Sequence, residues 1–151
     1  MALSWSSGFT DATEEVRAIV DRWEEVWHHG KLELVSETVG PSYVRHGPAP
    51  RATRTVTPEA YREEIAATRK KLPDIHFTMH DQATQGDKVW FRWTLNATNA
   101  ETGEPVSIAG LQIYRIANGK LVETWVMQSS QSILPEVPGD RIAGAQYVWG
   151  D

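Results

Sequence analysis

The sequence predicts an α+β domain, helices packed on one face of an antiparallel meander, and three observations predict it. The first half carries two helix starts followed by apolar residues at helical spacing. From Ile75 onward four extended segments follow with no helix between them. Between the last two of these, Asn118-Gly119 separates Val106 to Ile116 from Leu121 to Gln131, the strongest short-range signal for a tight hairpin. Helices first and a meander second is an α+β order, and the sheet must cover one face with the helices. If such a sheet curves strongly, helices and strands enclose an apolar pocket at the open end.

The elements follow in order. At 151 residues the chain reads as one domain over 1–151, long enough for a real core. Met1 to Thr10 is Ser-rich and reads as a loose segment. Asp11 fits a helix cap with Glu14 three residues on, and Val16, Ile19, Val20, Trp23, Val26 and Trp27 then form one apolar stripe. Gly30 supplies the stop. His28 and His29 read as a solvated helix end and not as a metal pair, because adjacent helical residues diverge by about 100°. Lys31 to Val39 predicts a short second helix that Gly40-Pro41 breaks, and Tyr43 to Pro48 a brief extended segment. Ala49 to Val56 bears arginines and no large apolar residue before Val56, so it reads as a loop or lid. Thr57-Pro58-Glu59 starts a helix to about Leu72, with Tyr61, Ile65 and Leu72 inward and Pro73 ending it.

Ile75 to His80 alternates as a half-buried strand, with His76 and His80 facing solvent or a neighbouring subunit. Asp74 and Asp81 flank it and are expected to cap turns. After the Gln85-Gly86-Asp87 turn, Lys88 to Thr98 places Val89, Phe91, Trp93 and Leu95 on one face. Thr102-Gly103 marks a second hairpin turn. In the final hairpin, alternation puts Ile108, Gly110, Gln112, Tyr114 and Ile116 on one face of the first strand. It puts Val122, Thr124, Val126 and Gln128 on one face of the second, with Leu121, Glu123, Trp125 and Met127 opposite. Leu134 to Asp151 reads as a tail that packs on the body or on a neighbouring subunit.

Composition narrows the function. A formal charge of -5 without a Lys/Arg cluster argues against nucleic acid as a partner. Cysteine is absent, which excludes disulfides, thiolate metal sites and a Cys nucleophile. No apolar run approaches the length of a membrane span, and no basic start precedes an apolar stretch, so no membrane partner and a cytoplasmic location are expected. Seven tryptophans are many for this length and imply a bulky core, an oligomer interface or an aromatic-lined pocket.

Five pieces, in register from about Glu14 to Ser130, carry a family resemblance. They are Glu25 to Leu32, Tyr43 to Pro48, Gly86 to Trp93, Gly110 to Ile116 and Asn118 to Trp125. Together they resemble the SnoaL-like polyketide cyclases, within the superfamily of ketosteroid isomerase and the nuclear transport factor fold. The resemblance implies a three-helix cone over a curved mixed sheet, a deep apolar pocket, and a homodimer or homotetramer formed through the sheet. It implies intramolecular aldol closure of a polyketide ester, with no metal and no cofactor. In that family a His lies in the Gly-x-x-Ile-Tyr-Arg strand and an Asp directly after the Trp of the last strand; here Gln112 and Val126 stand there. Aldol closure needs a base beside the carbonyl and a donor on the acceptor, and Val126 has no ionisable group. Closure by the usual aspartate is therefore not expected.

The remaining catalytic candidates are His46, Tyr43 and Gln112. The Tyr-x-x-His motif that carries His46 resembles the pocket wall, and an imidazole titrates near neutral pH; the alternative is a structural His on a loop carbonyl. Tyr43 can donate to an oxyanion or pack on the first helix. Gln112 has two amide donors for a carbonyl oxygen. Trp93, Tyr114, Val126 and Gln128 are the expected substrate-binding positions, with core packing the alternative for Trp93 and Tyr114. Trp125 and Glu123, opposite Val126, read as structural. Two functions fit: a cofactor-independent cyclase or isomerase for an apolar, polyketide-derived or polycyclic substrate, and a binding or accessory module that has lost chemistry. A bare oligomerisation scaffold is a third, against which the polar groups at pocket positions argue.

Overall fold

The computed structural model describes residues 14–48 and 51–129. The Asp11 cap, the loose 1–10 segment, Ala49-Pro50 of the expected lid and the 134–151 tail lie outside the described residues. Helix α1 spans Glu14–His29 and buries Val16, Ile19, Trp23 and Val26, the stripe its spacing predicts. Gly30 follows at φ +72°, a left-handed stop natural to glycine, and its N–H bonds the Val26 carbonyl. A 3-10 turn at Leu32–Leu34 leads into the four-residue α2, Val35–Thr38. Helix α3, Pro58–Lys71, starts as its sequence predicts: the Thr57 hydroxyl accepts the Ala60 N–H at 3.2 Å and Pro58 opens the first turn. Tyr61 and Ile65 are its buried residues, and Arg69 donates to the Trp27 carbonyl, tying α3 to the end of α1.

The strands are β1 (Val39–His46), β2 (Arg54–Val56), β3 (His76–Gln85), β4 (Lys88–Thr98), β5 (Pro105–Ala117) and β6 (Lys120–Gln128). They form one sheet in the order β2-β1-β6-β5-β4-β3. All neighbours are antiparallel except β1 and β6, which run parallel, so the sheet is mixed. The hairpin at Asn118-Gly119 has φ +52° and +71°, the paired positive values that a two-residue turn matched to strand twist requires.

Four local expectations need correction. Gly40-Pro41 does not end a helix: α2 already stops at Thr38, and both residues lie inside β1, in an irregular stretch between its Val39 and Val44 pairings. The stretch read as a loop closes with β2, whose Arg54, Thr55 and Val56 pair with Arg45, Val44 and Tyr43. Asp81 is not a turn cap; it pairs across β4 with Arg92, and β3 runs on to Gln85. Leu121 does not face outward. Arg115 pairs with Glu123 and Ile116 with Leu121, which leaves Val122 as an extra residue and turns the fully buried Leu121 inward. A second shift, between Met79 and Asp81, does the same around His80 and buries Gln82. Each bulge bends its strand and adds twist, and these bends curve the sheet around the helices.

Candidate functional site

Between the helices and the sheet lies a cavity of about 1060 Å³. Trp23 of α1, Tyr61 of α3, and Phe91, Trp93, Tyr114 and Val126 of the sheet are among the residues of its apolar wall. Five of the seven residues singled out from sequence line it: Gln112, Trp93, Tyr114, Val126 and Gln128. Gln112 sits directly across from Val126 in the β5–β6 register and from Phe91 in the β4–β5 register.

Gln112 is oriented by a chain of causes that begins at a glycine. A Cβ on Gly110 would lie 2.2 Å from Trp93 Cζ2, so only glycine lets that indole lie across β5. Trp93 Nε1 then donates to Gln112 Oε1 at 3.1 Å. An indole N–H can only donate, so the oxygen of the carboxamide is taken and its two N–H groups remain for a ligand. Tyr114 is built the same way. Trp23 Nε1 donates to its hydroxyl oxygen at 3.0 Å, and the phenol keeps its own proton. Burial pushes the Tyr114 hydroxyl far above the usual phenol range, so it is a donor and never a base at neutral pH.

Tyr43 and His46 do not reach the cavity. Tyr43 is fully buried, and its hydroxyl bonds Thr124, itself fully buried. His46 lies on the other face of the sheet. Its Nε2 is 2.8 Å from Glu123 Oε1, its Nδ1 is 2.9 Å from Thr53 Oγ1, and Trp125 stacks on its ring at 5.1 Å. Arg115 Nε donates to the second Glu123 oxygen at 2.9 Å. The hydrogen bond from His46, helped by Arg115, holds the Glu123 carboxyl below its usual range against a smaller effect of burial. Strand alternation is the reason: β1 turns Tyr43 and Arg45 inward, so the cavity receives Arg45 where the motif pointed to His46.

Arg45 and His28 are among the cavity residues that escaped the sequence reading. Arg45 lies with its guanidinium carbon 4.3 Å from the Tyr61 ring centroid and 5.8 Å from that of Tyr43. His28, expected at a solvated helix end, is part-buried and lines the cavity. Its Nε2 accepts the Phe77 backbone N–H at 2.9 Å, and its ring stacks on His76 at 4.4 Å. Burial, reinforced by His76, lowers its pKa below the usual imidazole value. The signal for Arg45 was its even spacing from buried Tyr43; helical spacing gives no such signal for His28, which falls about 100° past Trp27 and outside the apolar stripe. Among the described residues, no group of three or more His, Asp or Glu side chains is placed to hold a metal ion.

Comparison with known proteins agrees with this architecture. The profile of the SnoaL-like polyketide cyclases matches residues 17–136. No curated protein matches the chain in sequence. A candidate polyketide cyclase from Acidithiobacillus ferrooxidans superposes with a TM-score of 0.70 at 24% identity, covering 80% of this chain and 92% of its own. A candidate polyketide cyclase from Bacillus cereus reaches 28% identity and a TM-score of 0.63 over 78% of this chain and 76% of its own. A Catenulispora acidiphila protein described as having a ketosteroid isomerase-like fold gives a TM-score of 0.67 at 17% identity, covering 81% and 89%. With the family profile spanning most of the sequence and the three helices and curved mixed sheet in place, the chain belongs to the SnoaL-like polyketide cyclase family.

Proposed function

We propose that the protein is a cyclase or isomerase-type enzyme that needs no cofactor and rearranges an apolar, polyketide-derived or polycyclic molecule in the cytoplasm. The observation that carries this reading is the 1060 Å³ cavity, apolar over most of its wall, with the Gln112 amide turned to donate inside it. That volume accommodates a molecule of several fused rings. Trp93 and Tyr114 flank a flat substrate, while a substrate carbonyl oxygen accepts from Gln112. As negative charge grows on that oxygen during ring closure or double-bond shift, a donor already in place stabilises it without reorganisation. Val126 supplies no base, so the reaction is one in which holding the reactive conformer does most of the work; orientation alone is worth up to about 7–11 kcal/mol. In this reading Tyr43 and His46 fix β1 to β6 and do not touch substrate. A second copy of the chain covers the outer face of the sheet, where Leu111 and Met127 stand exposed side by side.

Val126 also favours a second reading, a binding module without turnover. Native mass spectrometry of the protein purified from cells that make it naturally separates the two. A retained apolar metabolite that is converted on incubation, about a hundredfold more slowly by Gln112→Leu, supports the enzyme. Recovery of that metabolite unchanged supports the binding module.

A further inference from the structure

We propose that the molecule held in this cavity carries a carboxylate, seated on the guanidinium of Arg45. The inference deepens the proposed function and rests on the cavity being the substrate site. Arg45 lines the cavity, and its Nε is fully buried with no hydrogen-bond partner. Its surroundings are aromatic: the Tyr61 ring lies under the guanidinium, with Tyr43 beyond. The Tyr61 hydroxyl is also within reach of it, but a phenol kept neutral by burial balances no charge.

No carboxylate among the described residues pairs with Arg45. Glu64, the acidic residue of this wall, is already taken. Arg54 holds both of its oxygens, one of them at 2.7 Å, and Arg51 lies 3.8 Å away. Glu24, the other carboxylate of the lining, lies 3.6 Å from His28. Arg54 and Arg51 therefore both neighbour Glu64, and Arg45 is left without a carboxylate partner on the side facing the apolar space. A buried charge is costly unless it is paired and hydrogen-bonded. A ligand oxygen on the open side of the fork supplies both. The planar fork matches a carboxylate bidentately, and among aromatic rings a monoanion is less costly to bury than a phosphate dianion. One end of the substrate is thus fixed at Arg45, while Gln112 and Tyr114 on β5 address another part of it.

Matched aromatic probes test this by equilibrium dialysis against the full chain: 2-naphthoate, the neutral 2-acetonaphthone, and 2-naphthyl phosphate. Naphthoate is expected to bind at least about tenfold more tightly than acetonaphthone, and no less tightly than the phosphate. Arg45→Met should abolish that preference while acetonaphthone binding persists, and Arg92→Gln, on the outer face of the sheet, should leave it intact. Should Arg45→Met fail to fold by circular dichroism, Arg45→Lys decides, because it keeps the charge without the fork and should cut the preference severalfold. Equal binding of naphthoate and acetonaphthone overturns the carboxylate assignment and leaves the apolar cavity standing. Tighter binding of the phosphate also overturns it. Binding of none of the three overturns the cavity reading and this proposal with it.

Discussion

His28 shows how one buried titratable side chain can couple the cavity wall to pH. Its Nε2 accepts the Phe77 N–H, so the ring must be neutral with its proton on Nδ1, toward Glu24. Protonation would turn that acceptor into a donor facing a donor. The folded pKa is lowered, chiefly by burial and then by His76, so the unfolded chain takes up the proton first as pH falls. The stabilisation is complete above about 6.5 and is lost as pH drops through the folded value. His28→Gln keeps an acceptor for Phe77 and removes the titration, so its melting temperature should lose this acid limb. His28→Ala leaves a part-buried N–H unpaired and should cost about 1–2 kcal/mol at neutral pH. An unchanged acid limb in His28→Gln would assign that limb to the carboxylates. The same scale explains why Arg45 was passed over for His46. A motif names residues without naming a face, yet Tyr43 and His46 are three apart in a strand and cannot both point inward.

At the scale of the element, the hairpin was the most legible part of the chain and the bulges the least. Asn118-Gly119 announces its turn because two successive positive φ values select that pair, and period-2 alternation then places Gln112 and Tyr114 in the cavity. Val122 and His80 carry no comparable mark. A bulge inserts one residue into the pairing, so alternation read onward from the turn puts Leu121 on the wrong face although every residue beyond Val122 is placed correctly. Likewise Gly40-Pro41 reads as a break, because proline inside a strand is tolerated only where the ladder is irregular, and that irregularity is set by pairing with β6. Gly110 tests the element argument. Gly110→Ala would drive a Cβ into the Trp93 indole, which must swing out and release Gln112. We expect a loss of about 1–3 kcal/mol in denaturant unfolding and a changed near-ultraviolet tryptophan signal. Wild-type stability and spectrum in this variant would mean that the indole does not depend on the gap.

For the whole molecule, the curvature that makes the cavity also leaves an outer face on which, among the described residues, no helix packs. Part of that face is polar and internally satisfied: His46 with Glu123, Arg115 with Glu123, Arg92 with Asp81 and His80 with Thr94. The rest is apolar. Leu111 is 57% exposed and Met127 75% exposed, and the two are cross-strand neighbours in the β5–β6 register. In the proposed dimer this pair lies in the interface, and a stable dimer needs about 800 Å² per subunit. If a second copy supplies the cover, removing the apolar pair should release the monomer without disturbing the cavity behind it. Leu111→Lys combined with Met127→Glu does this while keeping an attractive cross-strand pair, so the sheet itself is not weakened. Light scattering at micromolar concentration should then fall from a multiple of 17.0 kDa to that value, with circular dichroism and probe binding in the cavity unchanged. A wild-type mass of 17.0 kDa, or a double variant that stays oligomeric, would remove the self-association reading. Loss of probe binding together with dissociation would instead make the cavity depend on the partner copy, so that chemistry and assembly form one cooperative unit.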